Sequence, residues 1–493
     1  MALVSILKQL AYEENSTLYN SILFGIIITI LLVVHNLIIT RKRNNNNLPP
    51  CPLQLPFIGN LHQLGALPHR SFHELSKKHG PLMLLKLGQA QPTAANIFVY
   101  GCKDIGFAPY GEEWRQKRRI CVLELLSVKR VRSFQSVRQQ EIAELVGSIR
   151  EACERNKGCC VNLSELLIST SNNIVSRCIL GQKYDNPKDG SGKNFGELGR
   201  KLMRQFASFS VKDFFPSLGW VDVVTGLISE MNAIFVAFDS FLEDVIEEHR
   251  RRIKMKEEKE DKDFVDILLE LQENNMLEFE DTQDSLKAIL VDMFVGGSDT
   301  TSTTLEWTFA ELLKNPKAMK KAQEEVRRVV GRKSKVEEND VNQMNYLNCV
   351  IKETLRLHPP VPLLIPRQTT SSAKVKGFDI PPKTRVFINA WAIQRDPELW
   401  EDPEEFIPER FENNQVDVRG LDFKLIPFGI GRRGCPGISF GLVSTEYVLA
   451  NLLYWFDWKL NGEDACDIDM NEMCGLTVSK KVPLHLQPIS YSL

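Results

Sequence analysis

Cys435 sits in the run Pro427-Phe428-Gly429-Ile430-Gly431-Arg432-Arg433-Gly434-Cys435-Pro436-Gly437. One cysteine at the tip of a glycine-rich, proline-bounded loop is suited to hold a metal, because small residues on both sides let a large flat ligand approach the sulfur. The apolar run Ile438–Leu453 behind it reads as a helix. Its start would aim backbone N–H groups at the sulfur and favour thiolate over thiol, with Arg432 and Arg433 adding positive charge nearby. The chemistry open to such a thiolate is axial ligation of haem iron, where it pushes electron density toward O–O cleavage. The competing reading is a buried structural thiol in a tight turn.

A second group of residues lies in a long helical stretch, about Thr282 to Lys314, whose centre reads Asp292-Met293-Phe294-Val295-Gly296-Gly297-Ser298-Asp299-Thr300-Thr301-Ser302. Adjacent glycines inside a helix cost about 1 kcal/mol each relative to alanine. They imply close approach of a ligand or a local opening, or else a kink for helix packing. Thr300 and Thr301 can bond back to carbonyls one turn earlier and bend the helix. Glu353-Thr354-Leu355-Arg356 places a carboxylate and a guanidinium on one helix face, followed by Leu357-His358-Pro359-Pro360. On their own these form an ordinary i,i+3 pair. Trp114 and Arg118 likewise share one face of Glu113–Arg119, which alone would read as a basic surface helix with one packed tryptophan.

The spacing Phe428-x-x-Gly431-x-Arg433-x-Cys435-x-Gly437 resembles the haem-binding loop of cytochromes P450 at every fixed position. The resemblance extends over residues 48–493 and is to plant microsomal members of the A-type group, clan seventy-one. It implies a mainly α fold with small β-sheets, a transmembrane helix at the N-terminus and one haem b. Cys435 would be the metal ligand, with Phe428 and Gly437 shaping its loop. Trp114, Arg118, Arg433 and Arg367 would contact the haem propionates. Gly296 would make room for O2, and Asp299 with Thr300 would relay protons as an acid–alcohol pair. Pro408-Glu409-Arg410-Phe411 would supply Arg410 to the Glu353–Arg356 pair, and Trp391–Pro397 is a family-typical run between them.

The implied reaction inserts one oxygen atom from O2 into a lipophilic small molecule, a plant secondary metabolite, with electrons from NADPH through a membrane-bound cytochrome P450 reductase. By analogy, substrate contacts fall in Thr93–Gly106, Met203–Phe215, Ile289–Gly297, Val361–Ile365 and Gly475–Val478. Arg115, Lys117, Arg119, Lys424 and Arg432 would form a basic face for the acidic reductase. Two alternatives stand beside this. One is a dehydratase or isomerase acting on an oxime or an already oxidised substrate. The other is an inactive, truncated membrane protein.

The elements that must position these residues are mostly helical. Amphipathic stretches cover Gln139–Cys153, Leu227–Lys254, Asp263–Glu273, Pro316–Val330 and Met344–Leu357,. Short β-like runs fall at Leu82–Leu87, Arg385–Ile388 and near the C-terminus. The chain has 493 residues, 25% of them charged, with a net charge of -2; nothing in that balance favours a nucleic-acid partner. Its 11 cysteines are scattered, without a C-x-x-C pair, as expected for reduced thiols on the cytosolic side,.

Residues 18–40 are almost wholly apolar. About 20 such residues span a bilayer core. Arg41-Lys42-Arg43 follows directly, so the positive-inside rule puts the rest of the chain in the cytosol behind a single pass,; the resemblance implies that the membrane is that of the endoplasmic reticulum. Residues 1–17 would be a short lumenal tail, 41–60 a basic stop and proline hinge, and 61–493 the catalytic domain. One stretch departs from the family pattern. Between Gln89 and Thr93 about thirty residues are absent, roughly a strand, a helix and their connections. Their loss would leave a sheet edge open.

Overall fold

The computed structural model describes residues 24–25, 27–28, 47–88, 92–155, 159–183, 195–255, 262–277, 282–460 and 468–491. The expected anchor, 18–40, therefore lies outside the described residues except for Phe24, Gly25, Ile27 and Ile28, which are helical and exposed. Among the described residues no single helix is long and apolar enough to cross a membrane. The junction at Gln89–Gln91 and Cys466 also fall outside them. No described cysteine is in a disulfide, as expected.

The chain divides into two units, residues 1–65, 71–87 and 366–386, and residues 66–70, 88–365 and 387–493. The smaller unit carries two short antiparallel pairs, Arg367–Gln368 with Arg385–Val386 and Ala373–Val375 with Phe378–Ile380. The expected strand Arg385–Ile388 thus ends at Val386. Leu82–Leu87, expected as a strand, forms no regular element and pairs with no strand among the described residues. It is held instead by single bonds: Leu84 N–H to the Pro50 carbonyl at 2.8 Å, Lys86 N–H to Asn60 Oδ1 at 2.8 Å, and Asn60 N–H back to the Lys86 carbonyl at 2.9 Å. The proline-rich segment takes the place a sheet neighbour would fill. Strand propensity alone does not make a ladder; a partner is needed.

The larger unit is helical around one long axis, Thr282–Lys314. This helix is buried over most of its circumference although Ser, Thr, Lys and Glu residues lie among its apolar ones; buried polar groups of this kind need hydrogen-bond partners. It packs against Leu163–Leu180, Ile438–Trp455 and Asn345–Leu357. Asn315-Pro316 breaks it, and Pro316 opens the next helix, Pro316–Val330, at the position where proline's missing N–H costs nothing,. Asp263 caps Phe264–Glu273 through a reciprocal bond with Asp266,. A three-stranded antiparallel sheet, with His485–Ser490 between Val161–Asn162 and Phe456–Leu460, closes the C-terminal end. A separate hairpin pairs Glu472–Cys474 with Val478–Lys480.

Candidate functional site

The cysteine loop is built by its own backbone. Gly434 N–H bonds the Gly431 carbonyl at 2.9 Å and Cys435 N–H bonds the Phe428 carbonyl at 2.9 Å. Gly431 has φ +71°, a left-handed value that glycine adopts without strain,. Gly437 then donates its N–H to Cys435 Sγ at 3.3 Å and leads into the helix Ile438–Trp455. Burial pushes the Cys435 thiol up, while the Gly437 N–H and the Arg118 charge pull the other way. The N–H at the helix start acts on the sulfur as expected, against the burial, but Arg432 and Arg433 are not the cations that do. One N–H reaches the sulfur, Arg432 lies over the Tyr110 ring and Arg433 over Trp114. Arg118 is the cation that acts on it. A bound metal would displace the thiol proton.

Behind the loop stands a buried ion-pair network. Arg356 bonds Glu353 through Nε at 2.7 Å and Nη2 at 2.8 Å, and both side chains are fully buried. Arg410 Nε and the Ile407 N–H each reach Glu353 Oε1 at 2.9 Å. Arg356 Nη1 also holds the carbonyls of Gln394 and Pro403, at 2.9 and 2.7 Å. Gln394 turns this network toward the cysteine: its Nε2 donates to the Leu355 and Arg356 carbonyls, and its Oε1 accepts the Ile426 N–H at 2.8 Å. Removing one member of a buried pair costs about 3–5 kcal/mol, because the other charge is stranded. The triad expected from the sequence is present, and Gln394 is the link that sequence reasoning left without a role.

Trp114, Arg118 and Arg433 converge on backbone carbonyls. Trp114 Nε1 donates to Ile105 at 3.0 Å, Arg433 to Ile105 at 3.2 Å and Ala108 at 2.6 Å, and Arg118 to Gly434. No carboxylate is hydrogen-bonded to Arg118 among the described residues. A partly buried guanidinium meeting only carbonyl dipoles fits an incoming anionic group such as a propionate. Arg367 belongs to the smaller unit, where it pairs across from Val386. Lys117, expected on a basic surface, is buried and spends its ammonium on the Lys103 carbonyl at 2.7 Å and on Glu113. It shares the inward face of Glu112–Ile120 with Trp114, three residues away. Arg115, Arg119 and Arg432 remain exposed.

On the long helix, Gly296 is exposed although Phe294 and Ser298 beside it are buried. A Cβ there would meet nothing within 4 Å. This opening in the middle of a core helix, within the same unit as the cysteine loop, fits a flat group lying against it. Gly297 instead packs on Val175, whose Cγ2 would lie 3.1 Å from an added Cβ. Thr300 and Thr301 bond back to the Gly296 and Gly297 carbonyls, each at 2.8 Å. Asp299 turns elsewhere, to the Thr477 hydroxyl at 2.7 Å. The acid and alcohol expected as a pair thus hold separate partners. Burial raises the Asp299 carboxyl, opposed by that one hydrogen bond.

Several segments expected to contact substrate meet. Thr93 donates through N–H and Oγ1 to Asp213 at 2.9 and 2.6 Å. Ile105 N–H reaches Asp292 Oδ2 at 2.7 Å. Gly106 lies within 4 Å of Ile365, measured from an added Cβ.

A mainly helical fold with small antiparallel sheets, a cysteine loop braced by a buried ion-pair network and an opened core helix define a haem protein of one family. The chain belongs to the cytochrome P450 family, whose profile matches residues 91–486. Its relatives are plant enzymes of clan seventy-one type. It is 53% identical to a phenylacetaldehyde oxime monooxygenase of Prunus mume, over 90% of this chain and 89% of that relative. It is 49% identical to cytochrome P450 71A1 of Persea americana, over 87% and 90%. It is 44% identical to desmethylyatein synthase of Sinopodophyllum hexandrum, over 90% and 94%. The chain is a cytochrome P450 monooxygenase of secondary metabolism, and its cofactor is haem b.

Proposed function

We propose that this chain inserts one oxygen atom from O2 into a lipophilic plant secondary metabolite, with electrons drawn from NADPH through a membrane-bound reductase. The observation that carries this is Cys435 in its backbone-closed loop, tied through Gln394 to the Glu353–Arg356–Arg410 network. Cys435 would hold the iron, with Phe428 and Gly437 shaping the approach. Trp114, Arg118 and Arg433 would hold the propionates, and the resemblance adds Arg367 to that set. Haem, when bound, supplies the reductive activation of O2.

The chain's own residues supply the rest. Gly296 leaves space beside the long helix. Asp299, raised by burial, holds a proton near neutral pH more readily than an exposed carboxyl,. Thr300 can rotate its hydroxyl off the Gly296 carbonyl and pass a proton forward. Arg115, Arg119 and Arg432 offer exposed cations to an acidic electron donor. Residues 18–40 would anchor the chain in the endoplasmic reticulum membrane, with 61–493 on the cytosolic side.

The test is the reduced, CO-bound spectrum of the full chain. The wild type is expected to show the red-shifted Soret band of a thiolate-ligated haem, and Cys435→Ser to lose it. A serine variant that keeps both band and oxygenation would end this reading. The relative named for phenylacetaldehyde oxime favours an aldoxime as the substrate class. Turnover of an aldoxime without NADPH would point to dehydration rather than oxygen insertion.

A further inference from the structure

Asp299 accepts from Thr477 Oγ1 at 2.7 Å, and Thr477 Oγ1 lies 3.1 Å from Thr303 Oγ1. A hydroxyl carries one proton, which fixes the polarity of this chain. When Asp299 is ionised, Thr477 must donate to it, and Thr303 must donate to Thr477. When Asp299 carries the proton, both bonds can reverse. Either way the carboxyl keeps its partner. Both threonines are buried.

Thr477 is not a chance rotamer on a loose loop. It sits at the tip of the hairpin Glu472–Lys480. The Gly475 N–H bonds the Thr477 carbonyl at 2.9 Å, and the Val478 N–H bonds Pro360 at 2.9 Å. Trp307 Nε1, two turns along the long helix from Asp299, holds the Val478 carbonyl at 3.0 Å. At the hairpin's foot Glu472 takes Arg70 Nε at 2.7 Å and His69 Nε2 at 3.1 Å. Among the described residues the charged group that acts on Asp299 is Glu306, from its own helix; Lys480, from the hairpin, acts on Glu306. Glu306 is already engaged by the Ser164 hydroxyl and the Lys480 N–H. The helix Leu163–Leu180 meets Gly297 through the apolar Val175 and Glu306 through Ser164.

We propose that Thr477 is a positioning residue for Asp299: its hydroxyl, backed by Thr303, fixes where the carboxyl points and keeps it hydrogen-bonded whether or not it carries a proton. This rests on the reading of Asp299 as the proton donor. An Asp299 without Thr477 would swing freely or turn to solvent, and proton delivery toward Thr300 would lose its timing.

The experiment compares full-length, haem-loaded wild type with Thr477→Val, Thr477→Ser and Asp299→Asn. The infrared carbonyl band of the protonated Asp299 carboxyl is assigned by its loss in Asp299→Asn and titrated with pH. Thr477 bonds both forms, but its bond to the charged carboxylate is the stronger, so Thr477→Val should move the midpoint upward by about one pH unit, and Thr477→Ser should restore it. NADPH-supported peroxide release with reductase, measured without substrate, should rise in Thr477→Val and fall back in Thr477→Ser. An unshifted midpoint in Thr477→Val overturns the proposal. If that variant loses its CO-bound band, Thr477→Ala replaces it under the same criterion. If Asp299→Asn leaves peroxide release unchanged, the proton-donor reading falls, while the shift in Thr477→Val still decides the positioning.

Discussion

Asp104 and Asp292 place two carboxyl groups together in the interior of the larger unit. Asp292 Oδ2 accepts the Ile105 N–H at 2.7 Å and the Gly106 N–H at 3.3 Å; Asp104 Oδ2 accepts the Phe107 N–H at 2.9 Å. Asp104 Oδ1 is buried without a donor, which a proton on Asp292 would supply. Burial and the Asp104 charge push Asp292 well above the ordinary carboxylate range. A carboxyl raised in the folded state contributes stability that is full below its unfolded value and lost as pH rises through the raised one. Thermal stability should therefore fall as pH rises above the ordinary carboxylate value toward the raised one, with a slope of up to about 1.4 kcal/mol per pH unit. Asp292→Asn keeps an acceptor for Ile105 and offers Asp104 a donor, so it should flatten the slope. Equal slopes in calorimetry of the two proteins would refute this. Sequence reading quoted Asp292 but gave it no partner, because nothing local marks a contact between residues so distant in the chain. The same holds for Asp299 and Thr477, 178 residues apart.

Elements were legible where their signals are local. Leu227–Lys254 and Pro316–Val330 fall where apolar periodicity and the breaker residues put them,. Thr282–Lys314 does too, despite its paired glycines, because packing on three other helices outweighs their propensity cost,. Leu82–Leu87 and Ile388 failed as strands because a strand depends on a neighbour that no local pattern supplies. The two glycines of the long helix now separate in meaning. Gly296→Ala adds a methyl to open space and should raise unfolding stability by about 1 kcal/mol. Gly297→Ala meets Val175 at 3.1 Å, and packing strain should cancel most of the same gain. Denaturant melts of the two variants measure the difference. Equal gains would mean that the Val175 contact yields freely, and equal losses that Gly296 is needed for the helix itself.

At the scale of the whole molecule, we expect the short connection between Gln89 and Thr93 to cost stability. Leu82–Leu87 lacks a ladder partner among the described residues, and the family match begins at residue 91, beside the junction. The expectation rests on the sequence reading that about thirty residues are absent there. Insertion of a strand and helix from a relative should raise the thermal midpoint and slow haem loss to an acceptor protein. Unchanged values for both would mean that the proline-rich segment substitutes fully. The hairpin Glu472–Lys480 is better secured. Burial would lift the Glu472 carboxyl, but the bonds from His69 and Arg70 outweigh it and hold the group down to about 2. Its contribution is thus complete above the ordinary carboxylate value and lost only as pH falls through about 2,. No acidity that a living cell reaches protonates that footing. A cell soured by stress therefore leaves this clamp as it is, and the hairpin tip that carries Thr477 keeps its footing.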